Sequence, residues 1–98
     1  MPTYRPSNIS QQIISLLNNA RELAVNHSRR TLACDTINSI KILCNSRKFG
    51  IDIGVLNILD SLIEAIKSQK QEQLLESFQN VEEIILGHDF EMSNKKQL

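Results

Sequence analysis

Residues 53–67 read IGVLNILDSLIEAIK, and this stretch decides the fold class. Val55, Leu56, Ile58, Leu59, Leu62, Ile63, Ala65 and Ile66 cover about half the circumference of a helix at about 100° per residue. So wide an apolar face implies contact with more than one neighbour, and this helix is expected to be the central one. Asp52 just upstream reads as its N-cap. Gly50 reads as the stop of the element before it, because glycine tolerates the left-handed conformation of a helix terminus.

Working outward, the same periodicity recurs on both sides. Ala33, Ile37, Ile40 and Cys44, widened by Leu32 and Leu43, form the inner stripe of a helix over 29–47, with Ser28 as its cap. Ile9, Ile13, Leu16, Leu17, Ala20 and Ala24 do the same for a helix over 8–26, capped by Ser7 or Asn8. Leu74, Phe78, Val81 and Ile85 form the stripe of a fourth helix over 69–86, which Ser68 would cap and Gly87 would end. The two prolines within 1–6 predict an irregular lead-in, and the polar segment 88–98 predicts a flexible tail with Phe90 able to tuck back. The tight connection near residue 68 implies an antiparallel hairpin. The expected fold is all-α: a four-helix antiparallel bundle over 7–87.

Ninety-eight residues fit one small domain, and the four aromatic residues, Tyr4, Phe49, Phe78 and Phe90, leave the core to Ile and Leu. A chain this short leaves apolar surface uncovered, so a dimer or a bound protein partner is expected. Ile14, Val25, Ile42 and Leu86 lie off the inner stripes and are the candidate interaction surface. Cys34 and Cys44, ten residues apart on one helix, would be roughly 15 Å apart. That is beyond the reach of a disulfide, so both read as core thiols of a reducing compartment. No apolar run approaches a membrane span, and Met-Pro-Thr-Tyr-Arg-Pro has no signal-peptide hydrophobic region. The expected location is cytoplasmic.

Net charge is zero, yet the charges are segregated. Residues 1–51 carry seven cations against two carboxylates, +5, while residues 52–98 carry four against nine, −5. Arg30, Lys41 and Lys48 return to nearly the same helical angle and would line one flank of the second helix, with Arg29 and Arg47 at its ends and Arg21 nearby. Glu72, Glu76 and Glu83 share the outer face of the fourth helix. Such tracks are most simply solvated faces. They can also pair with each other and set register, or the basic one can face phosphates. No aromatic residue joins the basic face to stack single-stranded bases, and Asn38 and Asn45 flank it. Double-stranded RNA, recognised by shape and backbone, would ask least of it.

The stretch Ser46-Arg47-Lys48-Phe49-Gly50-Ile51-Asp52-Ile53, followed by an apolar helix, resembles the second-to-third helix junction of the RNA-binding domain of the influenza non-structural protein. Arg29-Arg30 in a helix is similar to the paired arginines of small viral helical bundles such as nodavirus silencing suppressors. Those families imply a helical homodimer laying basic helices on duplex RNA; from the charge pattern, such binding here would run through Arg30, Lys41 and Lys48 with nearby Arg21, Arg29 and Arg47. The likeness covers a minority of the chain, and an acidic fourth helix is not part of that pattern.

The sequence holds no Gly-rich phosphate loop, paired-cysteine zinc spacing or nucleophile motif. His27 and His88 fall at expected helix ends, where the dipole favours an imidazolium. Asp60 and Glu64, one turn apart, lack the histidines and further helices of a di-metal site. The expectation is a non-enzymatic interaction module with no catalytic residue, metal or cofactor, and duplex RNA binding is its alternative.

Overall fold

The computed structural model describes the backbone of residues 5–46, 49–50, 52–68 and 71–97, with side chains over 5–46, 49–50, 52–68 and 72–93. Four α-helices follow one another: α1 (Asn8–Val25), α2 (Arg30–Cys44), α3 (Ile53–Ser68) and α4 (Gln71–Gln97). No strand occurs among the described residues.

The junctions follow from local chemistry. Ser7 is extended and caps α1, its Oγ accepting from Ser10 N at 3.3 Å. At Asn26 the chain leaves the helix, and the Asn26 side chain accepts from the Ser28 backbone N–H at 3.1 Å and from the Ser28 hydroxyl. This side-chain turn starts a single 3-10 turn, His27–Arg29. Ser28 is therefore consumed inside the turn and does not cap α2, whose flanking Arg29 makes no side-chain cap bond. α2 ends at Cys44, short of the expected 47, and the Asn45 N–H closes it on Lys41 O and Ile42 O. Gly50 is therefore not its stop but a left-handed residue of the α2–α3 connection, φ +83°, whose N–H donates to Ser46 O. Asp52 then caps α3 through Oδ1 to Gly54 N at 2.7 Å. Ser68 is the last residue of α3, not the cap of α4, and its hydroxyl donates to Glu64 O within that helix.

The inner stripes are the buried core: Ile13, Leu17, Ala20 and Ala24 from α1, Ala33, Ile37, Ile40 and Cys44 from α2, Leu59, Leu62 and Ile66 from α3, Leu74, Phe78, Val81 and Ile85 from α4. Phe49, in the α2–α3 connection, is buried with them. Each helix packs on two others, α1 and α3 both lying against α2 and α4. α3 is thus no more central than the rest. Its wide apolar face is not fully covered: Leu56, Ile58 and Ile63 are only half-buried, and Ile53 is 72% exposed.

The largest departure from the sequence reading lies at the C-terminal end. α4 passes through Gly87 without a break and continues to Gln97, where a tail from residue 88 was expected. A glycine inside a helix costs only about 1 kcal/mol relative to alanine, and side chains beyond it supply more. Asp89 is 5% exposed and reaches the start of α1, accepting from Ser10 Oγ at 2.7 Å, from Ser7 Oγ, and from Ser7 N at 3.2 Å. A carboxylate at a helix N-terminus also meets the positive end of the dipole. His88 Nε2 donates to Phe49 O at 2.9 Å and stacks on the Phe49 ring, with Nδ1 3.5 Å from Asp52 Oδ2. His88 is therefore neither terminal nor free. It ties α4 to the α2–α3 connection.

Two substitutions separate these effects. Nothing lies within 4 Å of a Cβ built on Gly87, so Gly87→Ala is expected to raise unfolding stability by about 0.5–1 kcal/mol. Asp89→Ala leaves the Ser10 hydroxyl buried without its acceptor and is expected to cost about 2–3 kcal/mol. Urea unfolding followed by circular dichroism measures both, and a destabilised Gly87→Ala would mean that α4 does break at Gly87.

Candidate interaction surfaces

Two seams of the fold carry surface features, and they share no helix. The first lies between α1 and α4. Ser10 meets Asp89 and, four residues on, Ile14 lines a cavity with Leu86, so the two helices run in opposite directions. Ile14 and Leu86 line one open cavity of about 390 Å³, together with Pro6, Gln11, Ser15 and Asn18. Val25, eleven residues after Ile14, comes back to within about 20° of the same helical angle and is 44% exposed. Leu75, eleven residues before Leu86, does the same on α4 and is exposed. Phe90 extends that flank at 46% exposure.

The second seam lies between α2 and α3. Ile42, at 74% the most exposed large apolar side chain described, lines a cavity with Asn38, Lys41, Asn45 and Leu56. Asn38 also belongs to a neighbouring cavity of about 310 Å³ bounded by Arg30, Thr31, Cys34, Asp35, Ile63 and Lys67. Asn38 is common to both cavities.

Of the four expected interaction residues, Ile14, Val25 and Leu86 gather on the α1/α4 seam and Ile42 stands alone on the other. The expected nucleic-acid contacts divide too. Arg30 and Lys41 share the α2/α3 flank, half-buried, but Lys41 forms an ion pair with Asp60. Arg29 is exposed in the 3-10 turn, and Arg21 lies on α1 in the flank that holds Ile14 and Val25. Arg47 and Lys48 lie outside the described residues. Arg30 Nε is buried with no hydrogen-bond partner among the described residues. Lys67 on α3 was not singled out in sequence, yet it borders the cavity that Arg30 borders. Carboxylates stand close to both: Asp35 borders the cavity, and Asp35 and Glu64 both act electrostatically on Cys34. Glu72, Glu76 and Glu83 are all exposed along α4.

Cys34 and Cys44 are both free and buried. Burial pushes the Cys44 thiol up to about 12. Burial is also the main reason the Cys34 thiol is raised; Lys67 opposes the shift, and Asp35 and Glu64 add to it. Neither microenvironment activates a nucleophile. No group of three side chains able to hold a metal occurs among the described residues, and no helix there is long and apolar enough to cross a membrane. Comparison with protein families, with curated proteins and with solved structures finds no match to the chain.

The Cys44 shift has a testable sign. A thiol titrating near 9.0 when unfolded and near 12 when folded favours the native state fully below pH 9. That contribution is lost as pH rises from about 9 to 12. Stability is expected to fall across that window, less steeply in Cys44→Ala. Iodoacetamide at neutral pH is expected to modify Cys44 only on unfolding, and fast native modification would contradict its burial.

Proposed function

We propose that the chain is a non-enzymatic helical interaction module. It is a small antiparallel four-helix bundle that associates with itself or with a partner helix, in a reducing, cytoplasmic setting suited to its free thiols. The carrying observation is apolar side chains left exposed on two seams: Val25 and Leu75 on one, Ile42 on the other. Fully burying one such side chain is worth roughly 1.5–3 kcal/mol relative to leaving it exposed, so a protein covering either seam gains what the chain's own core does not take.

The reading expects concentration-dependent association in sedimentation equilibrium, or saturable binding of a helical partner. Val25→Glu or Ile42→Glu is expected to weaken it while far-UV circular dichroism stays unchanged. A chain that remains monomeric at every concentration and binds no partner removes the reading.

Duplex RNA binding through α2 is the second reading. Arg30 favours it, with a guanidinium Nε that finds no acceptor among the described residues and Lys67 beside the same cavity. Lys41, already paired with Asp60, and Arg21, on the other seam, weaken the basic track the sequence suggested. Gel shifts with duplex RNA at two salt concentrations separate the readings. Phosphate contacts predict tighter binding at the lower salt and its loss in Arg30→Ala with Lys41→Ala.

A further inference from the structure

The outer flanks of α1 and α4 carry two rows with one pattern. On α1 the row is Ile14, Asn18, Arg21 and Val25; on α4 it is Leu75, Gln79, Glu82 and Leu86. Both step by four, three and four residues, the spacing of a coiled-coil seam. Each row is apolar at its two ends, with an amide and a charge between them, and the charges have opposite signs. Asn18, Arg21 and Glu82 are half-buried, while Gln79 is exposed.

The antiparallel register brings these rows level. Ile14 and Leu86 share a cavity, and with opposite helix directions and equal rise Asn18 lies level with Glu82, Arg21 with Gln79 and Val25 with Leu75. Apolar positions stand at the height of apolar positions, and each charge at the height of an amide. Yet the rows do not close on each other within the chain. The cavity between Ile14 and Leu86 stays open, Val25 and Leu75 stay exposed, and no ion pair forms between Arg21 and Glu82.

We infer that these rows are the interface for a second copy of this chain, an inference that rests on the interaction-module reading and deepens it. A half-turn about an axis parallel to the helices lays α1 of one protomer along α4 of its partner, with opposite polarity and unchanged heights. Ile14 then faces the partner's Leu86, Val25 faces the partner's Leu75, and Arg21 comes within one helical turn of the partner's Glu82. The two-fold operation makes every contact twice. Polar groups at the middle of the seam fix the register, as a polar residue does in a coiled coil. Charge complementarity selects this occupant: a row of one sign meets a row of the other only when α1 crosses to α4.

Sedimentation velocity on the full chain tests this. A dimer is expected, weakened about tenfold or more by Val25→Glu and by Leu86→Glu and unchanged by Ile42→Glu. Val25 is exposed, so its variant keeps the test valid should Leu86→Glu fail to fold. The decisive arm exchanges charge. Arg21→Glu alone and Glu82→Arg alone each place like charges across both halves of the homodimer and are expected to associate poorly. Mixed, they restore opposite charges at both halves and are expected to form a heterodimer. A mixture that associates no better than its components, or a dimer broken by Ile42→Glu and not by Val25→Glu, overturns the inference while the interaction module stands. A chain monomeric at every concentration overturns it as well, and if no partner binds either, the wider reading falls with it.

Discussion

A carboxylate near the end of the chain holds the first turn of the first helix. Asp89, buried, takes up the hydroxyls of Ser7 and Ser10 and a backbone N–H that α1 could not satisfy within itself. This contact fixes where α4 lies along α1. It also accounts for α4 not stopping at Gly87: a buried acid needs donors, and Asp89, two residues past Gly87, finds them at the start of α1. The cavity between Ile14 and Leu86 and the level heights of the two flanking rows all follow from that register. A shift of one turn between α1 and α4 would take Asp89 from its serine donors and Ile14 from the level of Leu86.

With the register set, the charge segregation of the sequence acquires a spatial meaning that the linear count did not have. Opposite signs meet at the α2/α3 seam, where Lys41 pairs with Asp60 across the two halves of the chain. At the α1/α4 seam they stand one turn apart in height and form no ion pair with each other, Arg21 on one helix and Glu82 on the other. The basic track on α2 is diluted by Asp35 and Asp60, while the acidic face of α4 stays open to water. The molecule is less polarised than its sequence where the cationic α2 lies against the acidic α3 and Lys41 pairs with Asp60.

The helical stripes were legible because three- and four-residue spacing survives any detail of packing. Most inner positions of the four helices are buried, but Leu32, read as widening the stripe of α2, is 53% exposed. Asp52 caps α3 as read, whereas α2 ends at Cys44, ahead of Gly50. Ser28 was misread because Asn26 competes for the same turn, two good capping residues lying within three positions. The end of α4 was misread because glycine is a stop signal only when the pattern ends with it. Here the stripe continues: Ile85, Asp89 and Met92 are spaced like Leu74, Phe78 and Val81, with an acid in place of an aliphatic. Ser10 likewise extends the stripe of α1 one turn ahead of Ile13. Two polar residues on inner stripes at distant ends of the chain were the available sign of a buried pair. For the surfaces, the sequence named Ile14, Val25, Ile42 and Leu86, but which of them share a seam depends on tertiary register, and no local pattern encodes it.

The serine–aspartate contact spans 82 residues for Ser7 and 79 for Ser10. During synthesis, α1 and α2 can pair as soon as both have emerged, since a short turn joins them. The opening turn of α1, however, lacks its acceptor until residue 89 is made, so α2, α3 and most of α4 precede the residue that secures it. Contacts of such long separation are slow to form, and a nascent segment with an unfinished end is the part most open to chaperones and proteases. Truncation shortly before Asp89 would leave the inner stripes of all four helices in place and still release the N-terminal turn.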